Sequence, residues 1–113
     1  MKKSWKILGV DHVTICVRNI EKWKNVYTQV FGGTIIHETA DATPKGSSSM
    51  KLCGIKLGGF SLALVEGIDR KKESQVNIFI RQHGDHSYQH VAVGVTNLEK
   101  FVADAKRQGC RFL

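Results

Sequence analysis

The stretch Val10-Asp11-His12-Val13-Thr14-Ile15-Cys16-Val17-Arg18-Asn19-Ile20-Glu21-Lys22-Trp23 decides the fold. Val13, Ile15 and Val17 alternate with His12, Thr14 and Cys16, which is the two-residue period of a strand over Val10–Val17. Asn19 follows as a helix cap. Ile20, Trp23, Val26, Tyr27, Val30 and Phe31 then recur at three- and four-residue spacing, the period of an amphipathic helix. Gly32-Gly33 ends that helix.

The same pattern restarts downstream. His90-Val91 and Val95-Thr96-Asn97-Leu98-Glu99-Lys100-Phe101 repeat His12-Val13 and Val17-Arg18-Asn19-Ile20-Glu21-Lys22-Trp23 at an offset of 78 residues, from 12 to 90. That period is too long for a solenoid repeat, so it implies duplication of a whole module. Between the two copies, Thr34–Glu38 reads as a second strand. Residues 39–49, with Pro44 and three serines, read as a loop. Met50–Leu57 and Phe60–Val65 read as a hairpin turning at Gly58-Gly59.

The expected fold is therefore α+β, built from paired β-α-β-β-β modules within one domain spanning residues 1–113. Module one covers about 8–66, a polar linker 67–82, and a partial module two 83–113. Val76–Ile80 is a short apolar run of undecided type. Thr96 to Glu99 offers a T-x-x-E capping box for the second helix, and Cys110–Leu113 begins a further strand.

Bulk properties narrow the function classes. The chain has 113 residues, of which 42% are hydrophobic and 24% charged. That composition is of a globular domain able to bury roughly two thirds of its unfolded surface, and it excludes a disordered tail or a collagen repeat. Three widely spaced cysteines exclude a disulfide-stapled miniprotein and point to free thiols in a reducing compartment. The apolar run Ile7–Val10 is too short for a signal peptide, and no run is long enough for a membrane span, so a cytoplasmic location is expected. Seventeen basic against ten acidic residues give a net charge of +7, which favours an anionic small molecule. The densest basic cluster, Arg70-Lys71-Lys72, has no interleaved aromatic residues, so nucleic acid is disfavoured.

The candidate site follows from strand parity. His12, Thr14 and Cys16 share one face, and His90, Ala92 and Gly94 share the equivalent face of the repeat. If a pseudo-twofold axis relates the modules, His12 and His90 face one another across a cavity. Thr14, Cys16, Ala92 and Gly94 then line it. Two neutral imidazoles on rigid strands suit a divalent metal, and a carboxylate would complete a facial triad. Glu66 is the local candidate, although strand parity turns it away from Ala63 and toward the role of an exposed strand-end charge. His83 and His86 read as turn residues, Asp85 as a local turn acceptor, and His37 as structural. No P-loop, nucleophile elbow or dinucleotide fingerprint is present.

Asp11-His12-Val13-Thr14, Asn19, Tyr27 and Phe31-Gly32 together resemble the opening of the vicinal-oxygen-chelate superfamily, which contains glyoxalases, epimerases, resistance proteins and dioxygenases. Within it, Gly58–Val65, Arg81–Asp85 and His90–Val93 look most similar to 4-hydroxyphenylpyruvate dioxygenase. The resemblance implies that His12 and His90 are metal ligands. It places Ala63 in the substrate pocket, at a position where some members carry a ligating Glu or Gln. It also places the remaining glutamate ligand on a last strand beyond Leu113. A metal-dependent enzyme acting on a small anionic oxoacid is thus expected: a dioxygenase with Fe(II), or a glyoxalase-type lyase or epimerase with Zn, Mn, Co or Ni. The alternative is a metal-free binding protein of the bleomycin-resistance kind. The half-built second module leaves open sheet edges, from which a homodimer is expected.

Overall fold

A computed structural model describes residues 4–39, 50–68 and 73–112. Five strands form one mixed sheet: β1 (Ile7–Cys16), β2 (Thr34–Glu38), β3 (Met50–Leu57), β4 (Phe60–Gly67) and β5 (Ser87–Val95). Three helices accompany them: α1 (Ile20–Asn25), α2 (Gln75–His83) and α3 (Leu98–Arg107). The strand order is β2-β3-β4-β1-β5. β1 runs parallel to β4 and antiparallel to β5, which makes it the seam between the two repeats. The class is α+β, as the two interleaved periods imply.

The first repeat folds as its pattern dictates. β1 begins at Ile7, three residues before the expected start, because its early residues pair with the far end of β5. The Asn19 side chain accepts the Lys22 N–H and caps α1. Beyond Asn25 the helix widens into a π turn over Val26–Val30. Leu57 and Phe60 close the two-residue hairpin, with Gly58 at φ +59 as such a turn requires. The loop read across 39–49 lies, apart from Thr39, outside the described residues, as does Arg70-Lys71-Lys72.

The pleat of β1 divides the core between the two sheet faces. Ile15 and Val17 pack with Ile20 and Tyr27 of the first helical segment and with Cys53, Ile55, Leu62 and Leu64; Val13, Trp23 and Leu57 flank them. Cys16 points the other way, into a second cluster with Val65 and with Val76 and Ile80 of α2. The polar connection 67–82 is therefore not featureless. Val76 and Ile80 are one helical turn apart, and burying them against Cys16 and Val65 folds 75–83 into a helix capped by Ser74.

The second repeat departs from its pattern. Thr96 does not cap α3, because its hydroxyl accepts the Lys6 N–H; Asn97 takes the flanking position at φ +53 without a side-chain cap bond. Val91 and Val93 are not buried beneath α3 but are more than half exposed, and α3 buries none of its residues. Trp5 instead anchors α3 through a 2.7 Å bond to Asp104 and an edge contact with Phe101. Residues 110–112 do not form the expected strand.

Two consequences are measurable. Gly33 sits where the chain leaves the π turn for β2, and a Cβ there would lie 2.6 Å from Ile55 and 2.8 Å from Leu57. Gly33→Ala is expected to cost about 1–3 kcal/mol by overpacking, read from denaturant midpoints. Burial also pushes the Cys16 and Cys53 thiols above their ordinary 9.0. The unfolded chain therefore ionises first, so stability from these thiols is intact below pH 9.0 and falls as pH rises beyond it. Thiol titration should find only Cys110, which is exposed, reactive in the native state.

Candidate functional site

One row of cross-strand neighbours runs the width of the sheet. His37 on β2 pairs with Gly54 on β3, Gly54 with Ala63 on β4, Ala63 with Thr14 on β1, and Thr14 with His90 on β5. All five line a cavity of about 530 Å³. The three middle residues are small, so the row has a low floor between two histidine walls. Gln75 and Val76 of α2 close one end, and Met50, Leu52 and Val65 supply apolar surface.

His12 joins this cavity from the next position along β1 on the same face. Its ring centroid lies 5.7 Å from that of His90, in edge-to-face orientation. The two histidines stand side by side on neighbouring strands and do not face one another across the cavity, because β1 and β5 are hydrogen-bonded partners.

Each imidazole is held by its neighbour in sequence. His12 Nδ1 lies 2.9 Å from Asp11 Oδ2, and His90 Nδ1 lies 3.2 Å from Gln89 Oε1. Asp11 Oδ2 and Gln89 Oε1 are acceptor oxygens, so the tautomer that satisfies them has Nδ1 donating and leaves a lone pair on each Nε2. In that tautomer the His90 Nε2 lone pair accepts from the Thr14 hydroxyl, 3.0 Å away. Among the described residues nothing bonds His12 Nε2. A histidine that ligates through Nε2 needs this tautomer, and a carboxylate or carbonyl on Nδ1 fixes it. The donor chemistry of His12 and His90 therefore fits two ligands of a divalent cation. Among the described residues no third histidine, cysteine, aspartate or glutamate joins them.

The other expected site residues divide. Thr14 and Ala63 line the cavity. Cys16 does not, because α2 covers it completely and its burial favours the neutral thiol over a ligating thiolate. Ala92 and Gly94 lie outside the lining: Ala92 pairs with His12, and Gly94 pairs with Gly9 beyond a register shift. Glu66 lies outside the cavity lining, and it is not the exposed strand-end charge that the sequence suggests, since its side chain is only 21% exposed. It shares the α1 face with Leu64, so its carboxylate accepts the Ile20 N–H at 2.8 Å and lies 3.5 Å from Lys51 Nζ. His83 packs on Phe79. His86 receives or donates a 2.7 Å bond with Tyr27 and lies 3.9 Å from the Trp23 ring, in the α1 cluster. Asp85 accepts from the His86 and Arg18 N–H groups, which makes it a turn acceptor.

His37 is the residue that sequence reasoning misses. Strict alternation allows either Ile36 or His37 to face the cavity, yet both line it. The reason is a register shift between Ile35 and His37, where two residues of β2 oppose one of β3. Gly54 stands opposite His37, and no local sequence signal marks the shift.

With this geometry in hand, comparison with known proteins is informative. A family model described as the Glyoxalase/Bleomycin resistance protein/Dioxygenase superfamily matches residues 9–113. The mitochondrial methylmalonyl-CoA epimerase of Mus musculus is 23% identical over 109 residues, covering 96% of this chain and 58% of the epimerase. The chain thus spans less than two thirds of the length of the curated relatives it matches. Among solved structures, methylmalonyl-CoA epimerase from Mycobacterium tuberculosis superposes with a TM-score of 0.75 at 21% identity, over 98% of this chain and 71% of that one. A Streptomyces coelicolor methylmalonyl-CoA epimerase variant in complex with 2-nitronate-propionyl-CoA gives 0.71 at 20% identity, over 96% and 76%. These relatives are epimerases, so the expected likeness to 4-hydroxyphenylpyruvate dioxygenase, and with it the preference for Fe(II), gives way.

The two acidic roles are separable. Glu66→Gln is expected to lower stability by about 1 kcal/mol through the weakened bond at the start of α1, and to leave metal affinity unchanged. Denaturant unfolding and metal titration of the same variant check both, and a loss of metal affinity would return Glu66 to the site.

Proposed function

Because the chain belongs to the glyoxalase/bleomycin resistance protein/dioxygenase superfamily, we propose that it carries part of a metal-dependent epimerase site for a small anionic acyl thioester. The observation that carries this reading is the pair of imidazoles with ring centroids 5.7 Å apart, each with its Nδ1 against Asp11 or Gln89, the Nε2 of His90 sharing a bond with the Thr14 hydroxyl. A divalent cation held by His12 and His90 would supply Lewis acidity, polarising substrate oxygens so that a neighbouring C–H bond becomes acidic.

The chain's own residues do the remaining work. Asp11 and Gln89 fix the rings, which keeps the donor atoms in place without reorganisation. Gly54, Ala63 and Thr14 leave a shallow floor on which an acyl group can lie. Met50, Leu52 and Val65 give the cavity apolar surface against which the carbon skeleton of such a substrate would pack. The net charge of +7 favours the approach of an anionic thioester. The relatives named above act on methylmalonyl-CoA, which is such a compound.

A second reading, capture of a small molecule without metal, is favoured by the apolar walls and by the lack of a third ligand among the described residues. Metal titration separates the two. The epimerase reading expects Co(II), Zn(II), Mn(II) or Ni(II) to bind near one equivalent. It also expects His12→Ala and His90→Ala each to weaken binding at least tenfold, about 1.4 kcal/mol, with unfolding unchanged. Less than about a tenth of an equivalent bound would sink it. Incubation of the loaded protein with methylmalonyl-CoA in D2O should exchange the hydrogen on the carbon between the two carbonyl groups, followed by NMR.

A further inference from the structure

β5 stands at one end of the sheet, with β1 on its inner edge and no strand on its outer edge. Among the described residues nothing bonds the N–H and C=O groups along that outer edge. Its nine residues, Ser87–Val95, include no charged side chain and no proline, two devices that keep an open edge from pairing. The opposite edge differs: β2 has five residues, ends in Glu38 and is broken by a register shift. One face of β5 is bare as well. Val91 pairs with Val13 and Val93 with Val10, so both valines stand on the face that α1 covers in the first repeat, yet they are 55% and 52% exposed. α3, which follows, carries Leu98, Phe101, Val102 and Ala105 at helical spacing and buries none of them. The chain thus holds an apolar sheet face without a helix and an apolar helix face without a sheet.

We propose that a second copy of this chain covers β5, the two β5 strands joining antiparallel about a twofold axis perpendicular to the sheet. The inference is independent of the epimerase reading. The remaining residues of the same chain cannot take the place of that copy. Of the segments outside the described residues, 1–3, 69–72 and 113 are too short to pair along nine residues. Residues 40–49 are held at both ends on the β2–β3 side of the sheet, three strands or more from β5. A strand laid along β5 takes about 30 Å, and ten residues reach at most about 36 Å, which leaves nothing for the way out and back. Charge selects the same surface. Two copies with a net charge of +7 repel one another, and uncharged β5 is where they approach at least cost. The join is self-complementary, because rotation about this axis keeps each face on its own side. The valine row continues into its counterpart, and the row of His90 and Ala92 into its own. Both sets of outer N–H and C=O groups are satisfied in one step. The joined valine rows form one apolar face, and the two α3 stripes are the surfaces in the pair left to cover it. Each β5 edge is used up by its twin, so assembly through this contact stops at two copies.

Sedimentation equilibrium tests the join on the full 113-residue chain. At about 100 μM the chain should sediment at twice 12.6 kDa, and dilution should release the monomer. Val91→Lys and Val93→Lys should each weaken the dimer by about tenfold or more, whereas Ile35→Lys on the β2 edge should change it by less than about twofold. Hydrogen exchange on the unaltered chain supplies a readout that needs no variant. The amides of Ser87–Val95 should exchange more slowly at high concentration than at low, and those of Thr34–Glu38 equally at both. A monomer at about 100 μM overturns the proposal, as does assembly beyond two copies. A dimer that survives both valine substitutions, or that Ile35→Lys breaks, also overturns it. So does a dimer whose β5 amides show no dependence on concentration, which would place the contact elsewhere.

Discussion

β1 is hydrogen-bonded along both edges, to β4 in parallel and to β5 in antiparallel. Its side chains therefore have only two directions available. Val13 and Ile15 go beneath α1, while His12 and Thr14 go into the cavity. A slip of one residue would exchange the faces, placing two polar groups in the α1 core and leaving aliphatic carbons where donors are needed. Ile15 is fully buried, and burying such a side chain is worth about 1.5–3 kcal/mol. Core packing and site chemistry are thus locked to one register.

That register propagates. Because Thr14 is opposite both Ala63 and His90, and Ala63 is opposite Gly54, the floor and walls of the cavity follow from pairing alone. α2 then completes the enclosure by covering Cys16 and Val65. The same contact removes Cys16 from the site and supplies Gln75 and Val76 to its rim. One helix both shortens the cavity and closes it.

The histidine pair was legible because recurrence carries information that a lone residue does not. His12 and His90 occupy equivalent places in a repeat, and equivalent places in paired strands are brought together. The partners on Nδ1, Asp11 and Gln89, are the residues immediately preceding each histidine, so they were visible as neighbours but silent as to role. Strand parity turns Glu66 away from Ala63, but that it stands covered on β4 and accepts the first N–H of α1 follows only from the packing of the helix on the sheet. Thr96 shows the limit of a local motif: the hydroxyl that would cap α3 is spent on the Lys6 N–H, ninety positions away.

By itself the sequence determined the two-residue period of β1, the amphipathic α1, the Gly58-Gly59 hairpin, the repeat, and the face on which His12 and Thr14 stand. These are local or periodic properties, set by sterics and by the separation of apolar from polar side chains. Only the tertiary structure decided that His37 enters the cavity, that Cys16 leaves it, and that His12 and His90 stand side by side. Each of those depends on a pairing between distant strands or on a helix laid over a sheet. A shift of register at one β2 position, invisible in composition or period, redirects a whole side chain, because in a strand the difference of one residue is the difference between two faces.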